Sequence, residues 1–262
     1  MSAIGATWTK LRCAIRNALS CDSWLTRTVG EFSLFERAHH VRIASVLDAL
    51  DAELLAASQC YLGGGTAIAL RFGEYRESWG IDFVVSDRSG YSDLRQLVCQ
   101  PDGFNALTRR PIAVHRQVIV DQYGMRALLD VDGQPLKFRI VLERRIDLDT
   151  PRPGDSVCGI ATLAELDLAT SKLLANSDRW ADRATFSRDV IDLAMMEPSP
   201  DLRSWAIVKA ESAYRSAVVE DLYKAIDYLR GNSLRLDECM RKLCMHDTPA
   251  AVLWDRIQRL SV

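Results

Sequence analysis

The chain has 262 residues and a mass of 29.4 kDa, so it is long enough for one large domain or two modest ones. A hydrophobic fraction of 48% and a charged fraction of 26% are ordinary for a globular protein, and they exclude disordered, collagen-like and coiled-coil classes. The formal net charge of −2 argues against a protein that coats nucleic acid through bulk charge, although it permits an enzyme that holds RNA on a local basic patch.

The sequence predicts a cytoplasmic protein with no membrane segment. No apolar run reaches the ~18 residues that a membrane span needs. The N-terminal stretch lacks the long apolar core and the small-residue cleavage site of a secretory signal. The seven cysteines are scattered without a CxxC pair, which indicates free thiols in a reducing compartment.

The first half of the chain predicts a mixture of helices and strands. Apolar residues at helical spacing predict a helix over residues 31–58. The glycine run Gly63–Gly65 then ends a short apolar segment. Helix-forming residues follow it, which predicts a second helix at residues 67–72. Residues 80–86 alternate, with Ile81, Phe83 and Val85 on one face, which predicts a strand that buries this face.

Further strands are predicted at about 112–120, 126–132 and 136–143. The dipeptide Asp132-Gly133 separates the last two and is typical of a hairpin turn. Strand patterns stop at the Pro- and Gly-rich stretch 151–155.

Helical patterns fill the second half of the chain. Thr162 and Glu165 have the spacing of a capping box, which predicts a helix from there to about Ala175. Further helical periodicity covers residues 185–196, 202–230 and 235–260. The sequence therefore predicts an α+β domain over residues 1–155 and a helical domain over residues 156–262.

Three segments carry residues suited to chemistry. Successive glycines at Gly63–Gly65 allow close backbone approach, and the free N–H groups of a helix start suit a phosphate. Asp82 lies on the polar face of a strand, where Asp is disfavoured. Lys172 precedes a helical Arg188-Asp-Val-Ile-Asp192 segment. Taken singly, each has an equally ordinary structural reading: a tight turn, a turn-capping Asp, and a solvated helix face with modest ion pairs.

In combination, the segments resemble the nucleotidyltransferase superfamily of the DNA polymerase β type. That superfamily has a Gly-Gly or Gly-Ser turn, a spacer, and two carboxylates at alternate strand positions. Such positions share a face about 6–7 Å apart. The resemblance implies a mixed-sheet nucleotidyltransferase domain whose carboxylates hold two Mg²⁺ ions.

The longer string Gly64-Gly65-Thr66-Ala-Ile-Ala-Leu-Arg71, followed by Ile81-Asp82-Phe83, narrows the resemblance to the AbiEii/AbiGii toxin family. Lys172 and Arg188-Asp189-Val-Ile-Asp192-Leu match that family's downstream motif. The resemblance spans about residues 35–196. It implies a toxin of a type IV toxin–antitoxin system with a role in phage defence.

The resemblance also implies roles for individual residues. Gly64, Gly65 and Thr66 would cradle the triphosphate of an NTP, and Ser78 would join the nucleotide site. Asp82 would bind Mg²⁺.

Two further residues come from the predicted helical half. Lys172 would neutralise phosphate charge. Asp189 would complete the catalytic site, with Arg188 and Asp192 orienting it.

Position 80 departs from the family. Gly80 stands where the family has its first metal-binding Asp, and glycine weakens a strand interior. Three explanations of Gly80 are open. The substitution is deliberate and inactivating, or it arose spontaneously and was selected because the active product is toxic, or the chain is a natural pseudoenzyme. Retention of Lys172, Asp189 and the glycine turn favours a silenced copy of an active toxin.

The expected reaction is transfer of NMP from an NTP to the 3′ end of tRNA, which blocks translation. The expected partner is an antitoxin encoded alongside, without a stable complex. Two rivals stay open: a pseudoenzyme or module that binds nucleotide or RNA without turnover, and NMP transfer to a protein or small molecule.

Overall fold

A mixed six-stranded sheet forms the centre of the computed structural model, which describes residues 34–116 and 118–261. The strand order is β1-β2-β6-β5-β3, and β4 also pairs with β5. Only the β2–β6 pair in this sheet is parallel. The strands are β1 (Cys60–Leu62), β2 (Gly80–Val85), β3 (Ala113–Val114), β4 (Ile119–Val120), β5 (Gly124–Val131) and β6 (Gln134–Leu142).

Helices flank the sheet and make up most of the chain after it. A small hairpin of β7 (Ser156–Val157) and β8 (Ile160–Ala161) links the two parts. The α-helices are α1 (Ala38–Ala49), α2 (Ala52–Ala57), α3 (Gly64–Arg71), α4 (Arg88–Val98), α5 (Glu165–Arg179), α6 (Arg188–Met196), α7 (Pro200–Tyr214), α8 (Ala217–Arg230), α9 (Ser233–Lys242) and α10 (Ala250–Gln258). The predicted α+β class is confirmed, while the division into domains at residue 155 stays a prediction.

Strand β2 has the two faces that its sequence predicts. Ile81, Phe83 and Val85 are fully buried in the core. Gly80, Asp82 and Val84 lie on the opposite, partly open face. Because β6 runs parallel to β2 in register, its alternate residues share that open face.

The β5–β6 hairpin is also confirmed at its predicted turn. Val131 pairs with Gln134, and the two residues between them have positive φ, 54° for Asp132 and 72° for Gly133. A two-residue turn of this kind favours Asp-Gly because both positions are left-handed.

The predicted helix over 31–58 is wrong as a single element. Its described part divides into α1 and α2 because Leu50 is extended, and the Asp51 carboxylate then accepts from the N–H groups of Glu53 and Leu54. Residues 31–33 lie outside the described part. The predicted strand 112–120 is present as two short strands, β3 and β4.

The predicted capping box is wrong. Helix α5 begins at Glu165, and Ala164 occupies its N-cap position without a side-chain hydrogen bond. The Thr162 hydroxyl instead donates to the Leu163 carbonyl and accepts from Arg71 at 2.9 Å. Thr162 directly follows β8, and its backbone forms an isolated parallel bridge with Leu62 of β1.

The helical part is more divided than its periodicity predicts. The segment 202–230 contains α7 and α8, which are separated at Arg215, and 235–260 contains α9 and α10. None of the helices in residues 34–116 and 118–261 has the length and apolar character of a membrane span.

Candidate nucleotide site

The glycine turn brings helix α3 against the open face of β2. The Gly63 N–H donates to the Asp82 carbonyl at 2.8 Å, and α3 begins at Gly64 with φ of 64°. A Cβ at Gly64 would lie 3.2 Å from the Asp82 carboxylate, so both backbone conformation and close approach favour glycine here. The next N–H groups, of Gly64, Gly65 and Thr66, have no acceptor within the described chain. They form a free set of donors beside a carboxylate.

A chain of hydrogen bonds holds this turn from behind. The buried Thr66 hydroxyl donates to the Gly80 carbonyl and lies 2.6 Å from the Ser78 hydroxyl. The Ser78 N–H donates to His40 Nε2 at 3.1 Å, and His40 Nδ1 lies 2.8 Å from the Glu74 carboxylate. These contacts require a neutral His40 ring with its proton on Nδ1. The Thr66 and Ser78 hydroxyls thus fix β2 to α3.

The free energy of unfolding is expected to fall as the pH drops below about 6.5, the ordinary pKa of histidine. Burial lowers the pKa of His40, although Glu74 opposes the shift. The unfolded chain therefore takes up a proton at a higher pH than the folded one. The contribution of neutral His40 to the free energy of unfolding is thus complete above the unfolded pKa, and it is lost as pH falls through the folded pKa. Thermal unfolding between pH 8 and 5 measures it.

The matched variants are His40→Gln and His115→Gln, because His115 is exposed. Replacing His40 should reduce the loss of melting temperature on acidification, whereas replacing His115 should not. Burial also lowers the pKa of His39, so part of the loss will persist. An unchanged pH profile in His40→Gln would contradict the assignment of a buried neutral ring.

Asp82 is paired across the sheet with a cation. Its register partner on β6 is Arg139, and Arg139 Nε donates to Asp82 Oδ1 at 2.6 Å. Gly80 is opposite Lys137, and a Cβ at Gly80 would lie 3.2 Å from the Lys137 carbonyl oxygen. An adjustment of a few tenths of an ångström would therefore admit a side chain at position 80. Neither φ nor burial requires glycine there.

The chain as written does not fit a two-metal site. No group of three His, Cys, Asp or Glu residues within 34–116 and 118–261 is arranged to hold a metal ion. Asp82 is the only carboxylate on β2 and is bound by Arg139. Glu143, which follows β6, accepts from the guanidinium and the N–H of Arg145. A magnesium site therefore requires a second carboxylate beside Asp82, which the described residues do not supply.

A buried ionic network lies on the other side of the glycine turn. Lys172 Nζ lies 2.9 Å from Asp189 Oδ1 and 2.6 Å from Asp192 Oδ2. Arg179 donates twice to Asp189, and Arg76 donates twice to Asp192. These five residues are called the ionic network below. It joins the β2 region to α5 and α6.

Both carboxylates of the ionic network stay ionised. Burial raises the pKa of Asp189, but Lys172 and Arg179 outweigh it and hold this pKa well below its usual range. Burial acts in the same way on Asp192, where Arg76 and Lys172 prevail and lower the pKa. Three cations surround two carboxylates, so the ionic network retains a net positive charge.

Gly65 connects the turn to the ionic network. A Cβ at this position would lie 2.0 Å from Arg76 Nη2 and 3.1 Å from Asp192 Oδ2. A substitution here would force the buried Arg76–Asp192 pair apart. Gly64 thus borders Asp82, and Gly65 borders the ionic network.

The structure places the predicted residues in two groups. Gly64 and the position of Gly80 lie beside Asp82, with Thr66 and Ser78 behind them, whereas Gly65 borders the ionic network. Lys172 and Asp189 are each 4% exposed and bind one another within the ionic network.

Arg76, Arg139 and Arg179 received no role in the sequence analysis. Arg179 follows Lys172 by two helical turns, which is the signal that would have placed it on the same face.

The fold and the site define the class of nucleotidyltransferases, since a glycine turn opens a helix beside a carboxylate on a mixed sheet. Residues 46–241 match the family described as nucleotidyl transferase AbiEii toxin, type IV toxin–antitoxin system. The match covers most of the chain, which therefore belongs to the AbiEii nucleotidyltransferase toxin family. Membership implies a nucleotide substrate and an antitoxin counterpart.

Two solved structures from Helicobacter pylori are similar to this chain. One, classed as a nucleotidyltransferase, is 17% identical, with 87% of this chain and 96% of that chain covered and a TM-score of 0.48. The other, JHP933, is 19% identical, with 87% and 94% covered and a TM-score of 0.47. No curated protein sequence matches the chain.

Proposed function

We propose that this chain is a silenced toxin whose active form transfers NMP from an NTP to the 3′ end of tRNA. In that reaction, the terminal hydroxyl oxygen of the acceptor attacks the α-phosphorus of the NTP, and the bond to the bridging oxygen of pyrophosphate breaks. The modified end no longer accepts an amino acid, so translation stops. The toxin acts in the cytoplasm and is countered by an antitoxin without a stable complex.

One observation carries the proposal: the N–H groups of Gly64, Gly65 and Thr66 have no acceptor among the described residues at the turn that contacts Asp82, and a Cβ at position 80 needs a shift of only a few tenths of an ångström from the Lys137 carbonyl. Helix N-termini of this kind bind phosphate. Asp at position 80 would share the open face with Asp82 and supply the second carboxylate that Mg²⁺ requires. Magnesium, when bound there, would neutralise triphosphate charge.

The helical half contributes to the same reaction through its charge. Lys172 is buried, so we infer that it acts on phosphate as part of the positively charged ionic network and not by direct contact. Asp189 holds Lys172 and Arg179 in place. Electrostatic stabilisation of this kind is strong where water is excluded.

The test compares the chain as written with Gly80→Asp, both made in a cell-free system to avoid toxicity. Each is incubated with Mg²⁺, total tRNA and the four labelled NTPs in turn. A parallel reaction contains tRNA whose 3′-terminal ribose has been oxidised with periodate. We expect label only with Gly80→Asp and only on unoxidised tRNA.

Other distributions of label would separate the rivals. Label on oxidised tRNA would contradict the 3′ end as acceptor, and label on protein or small molecules alone would move the activity to a different acceptor. Nucleotide binding without transfer by either protein would support a natural pseudoenzyme.

A further inference from the structure

Arg188 differs from the four cations of the site that bind carboxylates, and it is more buried than Lys137, which is exposed on β6. It is half-buried as the first residue of α6, yet its side chain has no hydrogen bond and no ion pair within residues 34–116 and 118–261. Arg139, Arg179 and Lys172 each bind a carboxylate. The orienting role that its motif implies for Arg188 is performed by Lys172 and Arg179, which bind Asp189 directly.

The backbone before Arg188 is held in an unusual conformation. Phe186 and Ser187 both have positive φ, 53° and 51°, which is uncommon for residues other than glycine. The guanidinium of Arg235 lies 5.4 Å from the centre of the Phe186 ring and donates to the Arg183 carbonyl. Helix α9 thus supports the turn that presents Arg188. Strained backbone supported in this way is typical of functional sites.

The surroundings of Arg188 leave its charge uncompensated. Burial lowers its pKa, and the neighbouring Arg179 and Arg76 lower it further, against the attraction of Asp189 and Asp192. Both carboxylates are already occupied: Asp189 accepts from Lys172 and Arg179, and Asp192 accepts from Arg76 and Tyr75. A partly desolvated guanidinium without an acceptor destabilises the folded protein. An anionic ligand would remove that penalty.

The order of residues around the glycine turn indicates which part of a nucleotide Arg188 would meet. Asp82 borders Gly64 and marks the reacting α-phosphate in the proposed function. Gly65 borders Asp192 and Arg76, on the side of the turn that faces α6. The phosphates remote from the reacting centre therefore lie towards α6.

We propose that Arg188 binds the β- and γ-phosphates of the NTP, the part that leaves as pyrophosphate. This inference rests on the proposed function, because its ligand is that reaction's nucleotide. A guanidinium binds two phosphate oxygens at once through parallel N–H groups, which a lysine ammonium does not reproduce.

The experiment measures nucleotide binding by equilibrium dialysis on the chain as written, with Mg²⁺ and each labelled NTP or NMP. Arg188→Ala should weaken NTP binding about tenfold to a hundredfold, as expected for loss of a charge-assisted hydrogen-bonded pair. Its NMP binding should be unchanged, since NMP lacks the β- and γ-phosphates. Arg188→Lys should recover only part of the NTP affinity.

The matched control is Arg183→Ala, since Arg183 is an exposed arginine in the same connection between α5 and α6. It should bind NTP and NMP as the unsubstituted chain does. Arg188→Ala should also keep or raise the melting temperature, because it removes an uncompensated charge, so weaker binding would not come from unfolding.

Two results would overturn the inference. If Arg188→Ala binds NTP as tightly as the unsubstituted chain, Arg188 does not contact the triphosphate and the proposed function is unaffected. If Arg188→Ala weakens NTP and NMP equally, the assignment to the β- and γ-phosphates is wrong. Failure of both the unsubstituted chain and Gly80→Asp to bind any NTP would remove the proposed function together with this inference.

Discussion

Gly80→Asp is expected to raise the rate of NMP transfer by at least ~10³-fold, because a second carboxylate beside Asp82 makes two-metal stabilisation of the transition state available. The new side chain fits with a small shift of the Lys137 backbone. It also attracts the Arg139 guanidinium, which otherwise has Asp82 as its ion-pair partner. Single-turnover transfer from labelled NTP, with Mg²⁺ varied, measures the gain.

Gly154→Asp is the control for this substitution. Gly154 is exposed in the stretch that precedes the β7–β8 hairpin, and a Cβ at this position would have no neighbour within 4 Å. The variant adds the same charge away from Asp82 and should leave transfer at the background rate. A gain with Gly154→Asp equal to that with Gly80→Asp would show that added negative charge, and not a metal-binding pair, is responsible.

Asp192→Asn is expected to lower the free energy of unfolding by about 3–5 kcal/mol, because it leaves the buried cations Arg76 and Lys172 without a common carboxylate. For a chain of this size, the melting temperature should fall by roughly 10 °C. Tyr75 loses a charged acceptor at the same time, since its hydroxyl donates to Asp192 at 2.6 Å. Thermal and urea unfolding both measure the effect.

Asp227→Asn tests whether the loss comes from burial. Asp227 pairs with Arg230 one helical turn away on α8, where both side chains are more than half exposed. Surface pairs of this kind contribute little, so the melting temperature should hardly change. Equal losses in the two variants would contradict the central place of Asp192 in the ionic network.

Local patterns predicted β2, β5 and β6 well, whereas the expectation that strands stop at residues 151–155 is wrong, because the short β7–β8 hairpin follows. The alternation of Ile81, Phe83 and Val85 is sufficient to place Asp82 on the open face, since side chains in a strand alternate with a period of two. Asp132-Gly133 is sufficient for the hairpin, because few dipeptides tolerate two left-handed residues. Each of these two signals spans only a few consecutive residues of the chain.

Long-range pairing was not predictable in the same way. The position of Arg139 opposite Asp82 depends on the parallel register of β2 and β6, which a single sequence does not specify. Asp189 and Asp192 have the spacing of an exposed charged helix face, yet their partners Arg76 and Arg179 bury them. Helical spacing reports which residues share a face, and not whether another element covers it.

The bond between Arg76 and Asp192 has a consequence for synthesis of the toxin. The two residues are 116 positions apart, so Arg76 leaves the ribosome long before its carboxylate partner is made. A nascent chain that ends before α6 has the glycine turn and Asp82 but not the carboxylates that hold Arg76 and Lys172 beside them. An active copy truncated before α6 is therefore expected to have no transfer activity, whereas one truncated after Met196 keeps every residue of the ionic network.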